Sequence, residues 1–451
     1  MVNGLWGRLR VNVRNDWQDR VAQDSAVVFG GYLLSMGLGV ISSAVLARGL
    51  GPEGLSTFAI IGATTSIVTT MSDFGLRLGA IRHITSALVD HTQQAYAFAS
   101  AYTRLKLLGS FGMTIILLLL ADPLVAIIQL EPESSATLLR IGAIAMLATM
   151  LSGMVATVLH ALGRFRRLIL AQSTNVALTV ILMSVLWLSG RLNVSTALLV
   201  GGITAMVAGL LSVWLLPQDW RRAIGSRVAP VPGLKGPALD DESRQLLSFS
   251  RWMWVSNIFS MVSVQIDVLL LNYFLPLPVV GVYALSRNLA QKAGAVNQTL
   301  HTVLVPGVSA LVEADDRRAY VRRSLVRSGL LAILMVLVAP LAGPFFLLVY
   351  GQAYAAAINF FYALLVVVLV DLLLSPLILL ALPLDRPRLL AMADAAQVVV
   401  LLLVGVALVP HWGVYGIVAA KLAAQLATAL VALPPLLRTV RYITPDRDVG
   451  S

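Results

Sequence analysis

The sequence predicts an all-α, polytopic membrane protein of about twelve transmembrane helices arranged as two six-helix lobes, and three observations carry that prediction. First, 58% of the 451 residues are hydrophobic and only 12% are charged, against roughly 25% charged in soluble domains. Second, apolar runs of about 20 residues, enough to cross a hydrocarbon core of about 30 Å, recur along almost the whole chain. Third, the basic residues alternate between loops. A soluble fold would need polar helix faces that these runs lack. The chain has no cysteine, which excludes disulfides, thiol chemistry and cysteine metal sites. The net charge of +11 fits topology-setting loops of a membrane protein, and no nucleic-acid partner is expected.

Hydropathy places spans near 26–47, 56–76, 96–121, 138–160, 168–189, 194–216, 247–273, 279–305, 328–350, 355–382, 389–409 and 413–437. One set of loops with both termini carries 27 of the 33 Lys and Arg, from Arg8, Arg77, Lys106 and Arg164 to Arg221, Arg317, Arg386 and Arg438. The opposite loops hold only Arg48, Arg140 and Arg191. Basic residues stay on the cytoplasmic side of short loops, so both termini are expected in the cytoplasm. The first apolar run begins near Ala26 and is long enough to span, so no cleavable signal peptide is expected.

Five segments follow. Residues 1–25 place Trp6, Leu9, Val13, Trp17 and Val21 at helical spacing among arginines, as an interfacial helix on an anionic surface would. The N-lobe covers 26–216 and the C-lobe 247–438, and 439–451 is a cytoplasmic tail. Between the lobes, 217–246 is a cytoplasmic linker rich in proline and glycine.

A shift of 225 positions superimposes the lobes, laying Ser35-Met36 on Ser260-Met261. Gly62, Ser66, Thr69, Asp73 and Arg77 lie on one face of the second span and map to Arg287, Gln291, Gly294, Gln298 and Thr302 in the eighth. Lobes with even span numbers insert in parallel, so their pseudo-two-fold axis runs along the membrane normal. Polar stripes are costly against lipid and are expected to face a central cavity.

No phosphate-binding loop, nucleophile elbow or paired metal-ligand histidines appear, and no enzymatic activity is expected. Arg287 and Lys292 lie on a helix without an acid and suit an anion such as phosphate or pyrophosphate. Asp73, Gln291 and Gln298 are expected to line the cavity, with Arg48 at its external mouth. Asp267, among Ser256, Ser260 and Ser263, and Asp371 are candidates for coupling to H⁺ or Na⁺. Lys421 is expected to pair with Asp371 or Asp394. No resident cofactor is expected.

The segment SSAVLARGLGPEGLSTFAIIGA, followed by TTMSDFGLRLGAIRHI, resembles the opening of the polysaccharide transporter family. These are the Wzx-type O-antigen flippases of the multidrug/oligosaccharidyl-lipid/polysaccharide exporter superfamily. Arg48, Leu50, Gly51, Pro52, Glu53, Gly54, Phe58, Asp73, Phe74 and Gly75 carry the resemblance. It implies a MATE-like fold with a cationic cavity lined by spans one, two, seven and eight. It further implies ion- or potential-coupled flipping of a polyprenyl-pyrophosphate oligosaccharide by alternating access in a bacterial inner membrane. Membrane lipids and polysaccharide polymerase machinery would be partners. Lipid II flippases and drug/cation antiporters of the same superfamily are alternatives, and a membrane glycan polymerase or ligase is a remote one.

Overall fold

The computed structural model describes the backbone of residues 2–90, 92–228, 241–309, 314–378 and 387–441. The tail beyond 441, linker residues 229–240, and the side chains of 1–29 and of Gln298 lie outside the described residues.

Among the described residues, the chain is helical from end to end. Its helices are α1 (Val2–Met71), α2 (Leu76–Asp90), α3 (Thr92–Leu119), α4 (Ala121–Ile128), α5 (Pro132–Ala161), α6 (Phe165–Leu188), α7 (Val194–Leu215) and α8 (Gln218–Val228). The second half holds α9 (Asp241–Phe274), α10 (Leu277–Ser309), α11 (Ala314–Val338), α12 (Ala342–Tyr350), α13 (Ala356–Ile378), α14 (Pro387–Trp412) and α15 (Val414–Arg441). Ten helical segments of the described chain are long and apolar enough to cross a membrane. One of them, Gly30–Met71, has 42 residues, about twice the length that one crossing needs.

That long segment is broken at Gly51, whose φ of 67° and ψ of 178° no L-residue adopts comfortably. Pro52 follows, its fixed φ suited to restarting a helix without a donor. Val45 and Leu46 before the break and Phe58 after it share one apolar cluster with Met183, Ala197 and Val200. A second break falls at Ser72–Gly75, where Phe74 has φ 47° and Gly75 φ 66°. The expected polar stripe therefore ends at Thr69: Asp73 sits in a turn and Arg77 starts α2. Its counterpart α10 runs unbroken to Ser309, so the two stripes are not equivalent along their whole length.

Small residues let neighbouring helices approach closely, as expected where lipid provides no hydrophobic drive for association. A Cβ on Gly202 of α7 would lie 2.9 Å from the Ala145 Cα of α5, and one on Gly209 3.2 Å from the Ser152 Cα. In the second half, Gly416 of α15 abuts the backbone of Leu408 in α14.

The linker is partly structural. Helix α8 seats Trp220, 6% exposed, in the cluster of Leu76, Phe98, Tyr102, Leu159 and Leu216. Leu246 of α9, 0% exposed, joins the same cluster. The first turns of α9 thus pack on the first half of the chain, although they lead into the second.

Candidate functional site

A buried charged cluster lies in the second half, where α9, α10 and α15 converge. Asp267 is fully buried, and both of its oxygens are occupied. Oδ1 accepts the Val268 backbone N–H at 2.8 Å and lies 3.2 Å from an Arg287 terminal nitrogen. Oδ2 accepts the Tyr283 hydroxyl at 2.6 Å and lies 2.7 Å from the Lys421 ammonium. Arg287 also donates to the Gln265 side-chain oxygen, while among the described residues its Nε has no hydrogen-bond partner. One carboxylate thus serves two cations, and the group carries a surplus positive charge. A buried cation without its own counterion costs several kcal/mol, so such a surplus favours an anion close by.

This cluster revises two expectations. Lys421 pairs with Asp267, not with Asp371 or Asp394. Asp394 instead accepts the Ser256 hydroxyl, and Asp371 is exposed on α13. Arg287 and Lys292 do not form a joint anion clamp here. Five helical residues separate their directions by about 140°. Arg287 points to α9 and α15, whereas Lys292 points to α1, donating to the Gly39 carbonyl at 3.2 Å and to the Asn288 side chain. Among the described residues, no carboxylate lies within ion-pair distance of Lys292. Asn288 and Gln291 beside it are exposed. Uncharged polar side chains exposed in the middle of a span indicate water more than lipid.

Asp267 was recognisable in the sequence as an intramembrane acid, but its occupied oxygens leave no free acceptor for a coupling cation. No sequence signal links it to Lys421, which lies 154 positions away.

The other candidates sit where the halves of the chain meet. Asp73 pairs with Lys106 of α3 at 2.6 Å, with side chains 23% and 6% exposed. Lys106 is therefore an interior residue, contrary to its expected place among the loop cations. Next to it, Phe74 meets Trp254 of α9 with ring centroids 5.3 Å apart. The Trp254 indole donates to the Met71 carbonyl at 3.0 Å. Gly75 fits because a Cβ there would lie 2.8 Å from the Ser250 carbonyl oxygen. The Asp-Phe-Gly motif is thus an ion-paired turn pressed against the second half.

The Leu-Gly-Pro-Glu-Gly motif forms the contact at the opposite end. A Cβ on Gly281 would lie 1.9 Å from the Pro52 carbonyl oxygen. Tyr354 donates to the Ala47 carbonyl at 2.8 Å, and Asn272 to that of Ile128 at 2.6 Å. Burial pushes the Tyr354 phenol up from its ordinary pKa, keeping it a donor. Arg48 is exposed and donates to the Leu348 carbonyl at 2.6 Å, near the C-terminus of α12, where a cation is favoured. Ile60, Ile61, Leu117 and Met146 share one core with Val268, Leu271, Tyr283 and Leu401. The halves are sealed together at this end.

The family profile of polysaccharide biosynthesis proteins matches residues 21–312. The chain belongs to that family. Among its relatives, a Shigella flexneri protein named for O-antigen transport is 22% identical over 68% of this chain and 71% of its own length. A Haloferax volcanii protein named as a probable flippase, AglR, is 26% identical over 46% of the chain. That match spans 44% of the Haloferax protein, less than half of its length. The fold is that of an inward-facing multidrug-resistance MATE transporter, with a TM-score of 0.72, 16% identity, and coverage of 90% of this chain and 94% of the other. It is also that of the lipid II flippase MurJ in an inward closed conformation, with a TM-score of 0.68, 12% identity, and coverage of 92% and 87%. This family member is therefore a polytopic membrane protein with a transporter fold.

Proposed function

We propose that the protein flips a polyprenyl-pyrophosphate-linked oligosaccharide from the inner to the outer leaflet by alternating access, for surface polysaccharide synthesis. The surplus positive charge of the Asp267, Arg287 and Lys421 group, with Lys292 close by on α10, carries the reading. An interior of that sign suits an anionic head group and opposes the cationic drugs that an antiporter would export. The family, and the relatives named as a probable flippase and an O-antigen transporter, support it.

Counting Gly30–Met71 as two crossings and Leu277–Ser309 as one brings the spans to twelve, in two lobes on either side of 217–246. With both termini in the cytoplasm of a bacterial inner membrane, the Gly51 end faces outward. Lys292 meets the diphosphate first, Gln291 and Gln298 contact the glycan, and Arg48 and Asp73 act at the two ends. Of the two carboxylates considered for coupling to H⁺ or Na⁺, Asp267 is held by two cations, and the role is assigned to Asp371, exposed on α13. Membrane lipids surround the protein, and a polysaccharide polymerase receives its product.

Mass spectrometry of polyprenyl-linked lipids in cells depleted of the protein tests this. Accumulation of a polyprenyl-pyrophosphate oligosaccharide, reversed by restoring the gene, is expected. Unchanged lipids together with new sensitivity to cationic drugs would overturn the reading in favour of a drug antiporter.

A further inference from the structure

We propose that Lys421 is a positioning residue that makes Arg287 available to the anionic head group by holding Asp267 in its place. This rests on the anion-carrying interior proposed above and assigns how that interior is loaded.

Arg287 and Lys421 approach opposite oxygens of Asp267, at 3.2 and 2.7 Å. Remove Arg287 from the group, and Asp267 keeps the Lys421 ammonium, the Tyr283 hydroxyl at 2.6 Å and the Val268 N–H at 2.8 Å. Three donors, one of them a full charge, remain on a buried carboxylate. A carboxylate with Arg287 as its sole cation would be left as an uncompensated buried charge, which is strongly unfavourable. Lys421 therefore removes most of the penalty for releasing Arg287.

Arg287 is also the partner built to leave. Its bond to Asp267 is the longer one, its Nε has no partner among the described residues, and its second acceptor, Gln265, is neutral. Its helical neighbour Gln291, one turn along the same face, is exposed. A guanidinium that swings toward Gln291 reaches the solvated side of α10 and offers paired N–H donors to a diphosphate, the geometry that guanidinium groups recognise best. Lys421, facing Asp267 from α15, stays behind.

Binding of inorganic pyrophosphate to the full chain in phosphatidylcholine nanodiscs, read by titration calorimetry, tests the assignment. Lys421→Met locks Arg287 onto Asp267 and weakens binding by about tenfold or more. Lys421→Arg retains wild-type affinity. The double variant Asp267→Asn/Lys421→Met frees Arg287 again and recovers binding to within about threefold of wild type. A purely structural lysine would show no such recovery. Should Lys421→Met not survive purification, Asp267→Asn decides alone: it releases both cations and binds at least as tightly as wild type, and weaker binding overturns the proposal.

Wild-type binding in Lys421→Met, with binding lost in Arg287→Gln, overturns the role of Lys421 and leaves the anion site standing. So does weakened binding in Lys421→Met that the double variant does not recover. Unchanged binding in both Arg287→Gln and Lys292→Gln, or none in the wild type, overturns the anion site itself.

Discussion

Replacing Gly281 by alanine tests the seal at the Gly51 end directly. The new Cβ would stand 1.9 Å from the Pro52 carbonyl oxygen, 2.8 Å from its carbon and 3.1 Å from the Ser56 nitrogen. All three are backbone atoms, so no side chain can turn aside. Ordinary carbon–oxygen contact needs roughly 3.3 Å, and the helices must separate by more than about 1 Å. Overpacking of this kind costs about 1–3 kcal/mol, and more where only backbone can yield.

The penalty falls on the state in which this end is closed and is absent where the halves part. The equilibrium therefore shifts by about 5- to 150-fold toward opening. The protein has no cysteine, so spin labels on Arg48→Cys and Leu348→Cys report without background. The Arg48 side chain reaches the Leu348 carbonyl in the closed form; the labelled parent and its Gly281→Ala derivative both lack that contact and differ only in the added methyl. Pulsed electron resonance is expected to show a longer-distance population in the Gly281→Ala protein that the labelled parent lacks. An unchanged distance distribution in a protein of unchanged thermal stability would refute the reasoning, since the methyl would then have been accommodated without strain.

Three further substitutions follow from the same geometry. Lys106→Met strands the partly buried Asp73 carboxylate and costs about 3 kcal/mol, measured by thermal unfolding in detergent; adding Asp73→Asn should recover most of it. Tyr354→Phe removes the hydroxyl that bonds Ala47 across the seal and lowers stability by about 1 kcal/mol, with the labelled pair again reporting any opening. Gly202→Ala forces a methyl against Ala145, where a Cβ would meet that residue's own Cβ at 3.0 Å; a loss of about 1–3 kcal/mol is expected without any change in the seal.

The membrane class and the rough placing of the helices were legible because they depend on composition and run length, which are local properties. The Gly-Pro break was legible as a motif but not as a contact. What makes Gly51-Pro52 important is Gly281, 229 residues further along, and only folding brings them together. The interior charges divide the same way. Asp267, Arg287 and Lys421 stand out as expensive residues in apolar runs, yet hydropathy cannot say which acid a lysine chooses. Lys106 misleads because a cation next to Arg104 looks like a loop residue until Asp73 is seen beneath it. Arg287 and Lys292 share a helix but not a face, and the angle of about 140° between them, available from helical geometry alone, could have separated them in advance.

The seating of Leu246 among first-half side chains also bears on how the polypeptide is made. Synthesis runs from the N-terminus, so α2, α3, α5, α7 and α8 can be inserted before α9 leaves the ribosome. Their cluster around Leu216 and Trp220 then presents a ready socket, and the first turns of α9 supply the peg. The second half would begin its insertion already docked to a finished template, with its orientation fixed by that grip as well as by its loop charges. A gene severed between α8 and α9 would yield two polypeptides that retain this peg and socket, and with it a means of finding each other in the bilayer.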